Sequence, residues 1–163
     1  VSFRTIDIIL KGLPDSFSKQ TPQNILIIEN KDTFFDIRRY MNSGNDRIMG
    51  REFGTVIYGA GKGIWKTFED YVNGAERYFL GENALFYFGD LDFEGILIFE
   101  HLIGQKQYRE SGIHIFKEAY EKMLDKAWQL GFSRLPDMKE KQNANIGTGF
   151  LSAFDAERRH QIR

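Results

Sequence analysis

An α/β fold, with a central and mostly parallel sheet flanked by helices, follows from three observations on the sequence. Short apolar runs at residues 25–28, 55–58 and 84–88 have the length of strands and are rich in β-branched or aromatic residues. Each is followed by turn-forming residues and then by a segment with apolar positions three and four apart, the helical period. Strand, turn and helix alternating in this way is the pattern of parallel sheets with right-handed crossovers.

The 163 residues, 42% hydrophobic and 15% aromatic, suffice for one domain with a substantial core. Residues 1–24 are expected to supply a first strand and a lead-in loop, and residues 25–163 the main domain. There is no cysteine, which excludes a disulfide scaffold and thiolate metal sites. The amino terminus is not signal-like and no apolar run is long enough to cross a bilayer, so a cytoplasmic protein without a membrane partner is expected. A first residue Val1, and a last stretch 158–163 that reads as mid-helix, suggest a domain excised from a longer protein. Lysine and arginine number 22 against 23 aspartate and glutamate, a net charge of -1. Free-standing nucleic-acid binders are usually basic, so much of any grip on nucleic acid has to come from elsewhere.

In chain order, residues 3–10 (FRTIDIIL) read as a strand closed by the turn chemistry of Gly12, Pro14 and Asp15. Residues 16–24 are polar, contain Pro22 and read as a loop. Residues 25–28 (ILII) are continuously apolar, as in a strand buried on both faces of a parallel sheet, and end in Glu29. Asn30 or Asp32 caps the next helix, whose apolar face is Phe34, Ile37 and Met41. Residues 42–54 hold Gly44, Asn45, Gly50 and Gly54 among charges and read as a surface connection with room for a turn of helix. Residues 55–58 (TVIY) form the next strand and run into the glycine cluster 59–63 (GAGKG). Trp65, Phe68 and Val72 mark a helix that stops at Asn73 and Gly74. Residues 84–88 (ALFYF) are the third buried strand, and 96–103 the helix after it. Residues 111–116 read either as a further strand or as the direct lead into the helix of Tyr120, Met123, Leu124, Ala127 and Leu130, which Gly131 ends. Residues 134–149 are polar, with a basic cluster at Lys139 and Lys141, and 150–163 resume as one helix.

Chemistry concentrates in residues 89–95 (GDLDFEG). Asp90 and Asp92 stand at the carboxyl end of a strand, where open α/β sheets place their sites. Alternate residues of an extended segment point the same way, so the two carboxylates are expected to converge on one cation, and Mg2+ wants oxygen ligands of this kind. Glu29 ends another strand of the same edge. An acidic cluster of this sort repels itself unless a cation lies between its members. Two readings stand for Gly61, Lys62 and Gly63: a tight turn that lets helix pack closely on sheet, or an anion site at a helix amino terminus. Neither GxxxxGK[ST] nor GxGxxG is present.

Three segments carry a resemblance: residues 25–31 (ILIIENK), 58–63 (YGAGKG) and 89–95 (GDLDFEG). In order and spacing they resemble the three motifs of the Toprim domain, the metal-binding module shared by topoisomerases, bacterial primases and several nucleases. They are most similar to the branch containing the catalytic A subunit of topoisomerase VI and, closer still, to the nuclease subunit JetD of the Wadjet plasmid-defence systems. ENK-x-TF at 29–34 and GD-x-D-x-x-G at 89–95 carry the second likeness. The resemblance covers residues 25–103 and implies a Toprim-like, Rossmann-like fold, with 25–163 as a Toprim-like catalytic domain.

By that resemblance Glu29 matches the Toprim glutamate, a general acid/base and metal ligand, and Asp90 and Asp92 match the metal-binding Asp-x-Asp pair. Lys62, with Gly61 and Gly63, falls near the phosphate backbone. Glu94 stands where relatives often carry an aromatic residue or histidine, so no role transfers to it. The implied activity is hydrolysis of phosphodiesters in plasmid DNA with Mg2+ or Mn2+. The implied partners are double-stranded DNA, subunits of an SMC-type complex, and a second copy of the chain, since a double-strand break needs two sites. Two other classes stand beside the nuclease. One is a topoisomerase VI-like transesterase fragment, whose tyrosine would lie on a separate winged-helix domain; the other is a non-catalytic metal-binding assembly module.

Overall fold

The computed structural model describes residues 22–59, 61–64, 83–105, 112–131 and 147–162. Strand β1 (Asn24–Ile28) leads to α1 (Lys31–Asn42), a short antiparallel pair β2 (Arg47–Ile48) and β3 (Arg51–Glu52), and then β4 (Thr55–Tyr58). Strand β5 (Ala84–Phe88) precedes α2 (Phe93–Gly104), and β6 (Ile113–Ile115) precedes α3 (Lys117–Leu130), α4 (Gly149–Ser152) and α5 (Ala156–Ile162). The main sheet has four parallel strands in the order β4-β1-β5-β6. The α/β fold with a parallel sheet flanked by helices is therefore the observed one.

Side-chain alternation explains why the sheet is covered on both faces. Ile25, Ile27, Ile57, Leu85, Tyr87, Ile113 and Ile115 face one core, filled by Ile96, Phe99 and Leu102 of α2 and by Tyr120, Phe150 and Phe154. Leu26, Ile28, Val56 and Phe86 face the other, against Phe34 and Met41 of α1, Phe53, Phe116 and Ala119. All four residues of ILII are fully buried.

Asn30 is the cap of α1, as one of the two expected alternatives: its Oδ1 accepts from the backbone N–H groups of Asp32 (3.0 Å) and Thr33 (3.1 Å). Asn30→Ala leaves those amides without that acceptor. It is expected to lower stability by about 1 kcal/mol, measured by urea titration, and an unchanged midpoint would sink this account of the cap.

Three segments differ from expectation. Within 42–54 the chain forms the β2–β3 hairpin instead of a turn of helix. Met49 and Gly50 both take positive φ (49° and 83°), the conformation of a two-residue hairpin loop. A methionine at the first of these positions gives no hairpin signal in the sequence. Residues 150–163 are two helices: Phe150, Leu151 and Phe154 turn into the core, and Asp155 Oδ1 then accepts from the Arg158 N–H at 2.8 Å, starting α5 afresh. Helix α2 begins at Phe93, three residues before the expected 96, because Asp92 caps it. Of the two readings of 111–116 the strand is observed, as β6 against β5. The strand expected at 3–10, the helix through Trp65, Phe68 and Val72, and the basic cluster at Lys139 and Lys141 lie outside the described residues. No helix among the described residues is long and apolar enough to cross a membrane.

Candidate metal centre

Register brings the site together. Ile28 pairs with both Tyr58 and Phe88, so the residues that follow, Glu29, Gly59 and Gly89, stand side by side at the carboxyl edge of the sheet. The Glu29 N–H donates to the Phe88 carbonyl (3.0 Å), and the Gly59 N–H to the Ile28 carbonyl (2.7 Å), which holds that edge in line.

Glu29 is half-buried. Oε2 accepts from the Tyr87 hydroxyl at 2.8 Å, and the carboxylate also accepts from the backbone N–H of Asp90. Burial raises its pKa above the ordinary carboxylate range. The Tyr87 hydrogen bond opposes that shift, the charge of Asp90 adds to it, the Asp90 amide opposes it, and the charge of Asp92 adds again. Asp90 is exposed at the end of β5. Asp92 is half-buried and accepts from the Gly95 N–H through Oδ1 at 2.8 Å, as the cap of α2.

Two glycines make room for this arrangement. A Cβ on Gly89 would run into Glu29 Oε2 and meet the Tyr87 hydroxyl at 2.7 Å; one on Gly95 would run into the Asp90 carbonyl and meet Glu29 Oε2 at 3.3 Å. The Gly89 N–H donates to the Tyr120 hydroxyl at 2.8 Å, and Tyr120 is fully buried. Burial pushes the Tyr87 and Tyr120 hydroxyls far above the ordinary phenol range, so both stay protonated. Neither tyrosine stands out in the sequence as a site residue, because each finds its partner on a different element of the fold.

The structure thus makes neighbours of Glu29, Asp90 and Asp92 and lets each carboxylate bear on Glu29. It does not close them into a cage: among the described residues no group of three or more histidine, cysteine, aspartate or glutamate side chains is placed to hold a metal ion. The donor chemistry fits a hard divalent cation all the same, since the set is all oxygen and the charges of Asp90 and Asp92 both bear on Glu29. One carboxylate offers about four lone-pair sites, so a cap bond does not exhaust Asp92.

The glycine cluster sits on the same edge. Gly61–Gly63 is a single 3-10 turn against α2, with Gly61 at φ +60°. At Gly59 a Cβ would meet Ile64 Cδ1 at 3.0 Å and the Ile28 carbonyl at 3.3 Å, which accords with the close-packing reading of this loop. The Lys62 side chain lies outside the described residues.

Because the folded protein raises the Glu29 pKa, it takes up the proton more readily than the unfolded chain does. The stability this contributes is complete below the ordinary glutamate value of about 4.3 and is lost as pH rises through the folded value. Metal-free Glu29→Gln is therefore expected to melt higher than the wild type at pH 7 and level with it near pH 4. A variant that melts lower at both pH values contradicts this.

No curated protein and no solved structure matches the chain. The family model described as Wadjet protein JetD, C-terminal, matches residues 7–142, a span that includes Glu29, the glycine turn, Asp90 and Asp92. The chain belongs to the JetD C-terminal family, and so to a component of the Wadjet anti-plasmid systems.

Proposed function

We propose that this protein is a Toprim-type, divalent-metal-dependent DNA nuclease domain, with Glu29, Asp90 and Asp92 as the ligands of Mg2+ or Mn2+. The observation that carries the reading is the Glu29 carboxylate, drawn into the sheet edge beside Asp90 and Asp92 with its pKa raised by burial and by their charges. A buried carboxylate facing two others is stabilised by a cation between them. When bound, the ion polarises the scissile phosphate and acidifies the attacking water. Glu29 holds its place through Tyr87 and the Asp90 amide; its raised pKa also suits it to accept a proton from that water. Asp90 is the outermost carboxylate, open to an approaching phosphate, while Asp92 ties the acidic loop to the start of α2.

The substrate in this reading is double-stranded plasmid DNA. A net charge of -1 supplies little grip on a polyanion, so SMC-type partner subunits bring the DNA to the edge, and a second copy of the chain provides the site for the other strand. Gly61, Lys62 and Gly63 lie toward the phosphate backbone. The test is titration calorimetry with Mn2+ and Mg2+, followed by nicking of closed circular DNA with the SMC-type partners present. Saturable binding with metal-dependent nicking supports the nuclease. Binding with no cleavage assigns the domain to assembly, and no binding by folded protein removes the metal site.

A further inference from the structure

Beneath the acidic edge, Tyr87 is wholly buried and donates its single hydroxyl proton to Glu29 Oε2 over 2.8 Å. The next acceptor within reach, the Gly95 carbonyl, is 3.5 Å away and too distant to compete. The ring is held on several sides. Its strand is paired to Ile27 of β1 and Ile115 of β6, and Phe99 of α2 stacks against it with centroids 5.5 Å apart. Gly89, two residues on, leaves the gap in which hydroxyl and carboxylate meet, and its own N–H is held by Tyr120.

From this packing we infer that Tyr87 is a positioning residue for Glu29: a phenol fixed in the core holds one carboxylate oxygen and so aims the other at the edge shared with Asp90 and Asp92. The role rests on the proposed metal site. It is the relation by which groups outside the coordination sphere orient a ligand, and losing such a partner typically weakens metal binding about 10–100-fold. A flexible glutamate would otherwise have to give up rotamer freedom on binding each ion.

Tyr87→Phe removes the hydroxyl and keeps the ring. Its Mn2+ affinity, read by calorimetry on the folded metal-free protein, is expected to fall at least about tenfold. Phe53→Leu disturbs the core on the opposite face of the sheet without touching Tyr87 or Glu29; it is expected to lower the melting temperature at least as much as Tyr87→Phe does and to leave Mn2+ affinity unchanged. Unaltered affinity in Tyr87→Phe, or an equal loss in Phe53→Leu, overturns the positioning role. A wild type that binds no Mn2+ is a separate failure, of the metal site itself, and takes this role with it.

Discussion

Replacing Asp90 and Asp92 together by asparagine is expected to abolish saturable Mn2+ binding and to lower nicking of closed circular DNA by more than about 100-fold, the upper end of what losing a mere outer partner does. The substitution keeps volume and keeps an oxygen at position 92 to accept from the Gly95 N–H, so α2 should retain its cap. It removes both of the charges that bear on Glu29. The variant is therefore expected to fold with a melting temperature at or above that of the metal-free wild type. Circular dichroism checks the fold and calorimetry the affinity; wild-type affinity in the double variant would falsify the assignment of these two ligands.

Gly95→Ala is the second large effect, and its sign runs against helix propensity. Gly95 lies in the first turn of α2, and in a helix alanine is ordinarily favoured over glycine by about 1 kcal/mol. Here a Cβ would run into the Asp90 carbonyl oxygen, meet its carbon at 3.1 Å, and meet Glu29 Oε2 at 3.3 Å. Backbone cannot swing aside as a side chain can, so the expected result is a loss of about 1–3 kcal/mol, with weakened Mn2+ binding as Glu29 shifts. Gly104, at the other end of α2, has open space where its Cβ would go. Gly104→Ala is expected to be neutral or stabilising by up to about 1 kcal/mol. Equal urea midpoints for Gly95→Ala and the wild type would remove the steric account of the acidic loop.

Much of the fold was legible along the chain. A run such as ILII, ending in a carboxylate and followed by Asn30 and a helical period, states strand, edge and cap within a dozen residues. ALFYF followed by GDLD does the same for β5 and α2. These signals are local, and so are the acids they deliver: residue type and place at a strand end mark Glu29, Asp90 and Asp92. Less legible were features whose meaning depends on distant partners. The Met49–Gly50 hairpin turn lacks the usual residues, and the break at Ala153–Asp155 follows from Phe150 and Phe154 entering a core built by α2 and α3.

The sequence by itself determined the succession of β1, α1, β4, β5, α2 and α3, the edge at which the acidic motifs emerge and the oxygen-only chemistry of that edge, because periodicity, capping and residue type act over a few neighbours. Only the tertiary structure decided how the acids sit. Parallel pairing of β1 with β5 set Glu29 beside Gly89 and Asp90, and burial gave its carboxylate a raised pKa and a tyrosine partner 58 residues away. Asp92 was turned to cap α2, while Asp90 was left open to solvent. Glycines that read as turn formers became the clearance for a carboxylate and a carbonyl. Those outcomes depend on desolvation and on contacts between elements far apart in the chain, quantities that exist only once the sheet has closed.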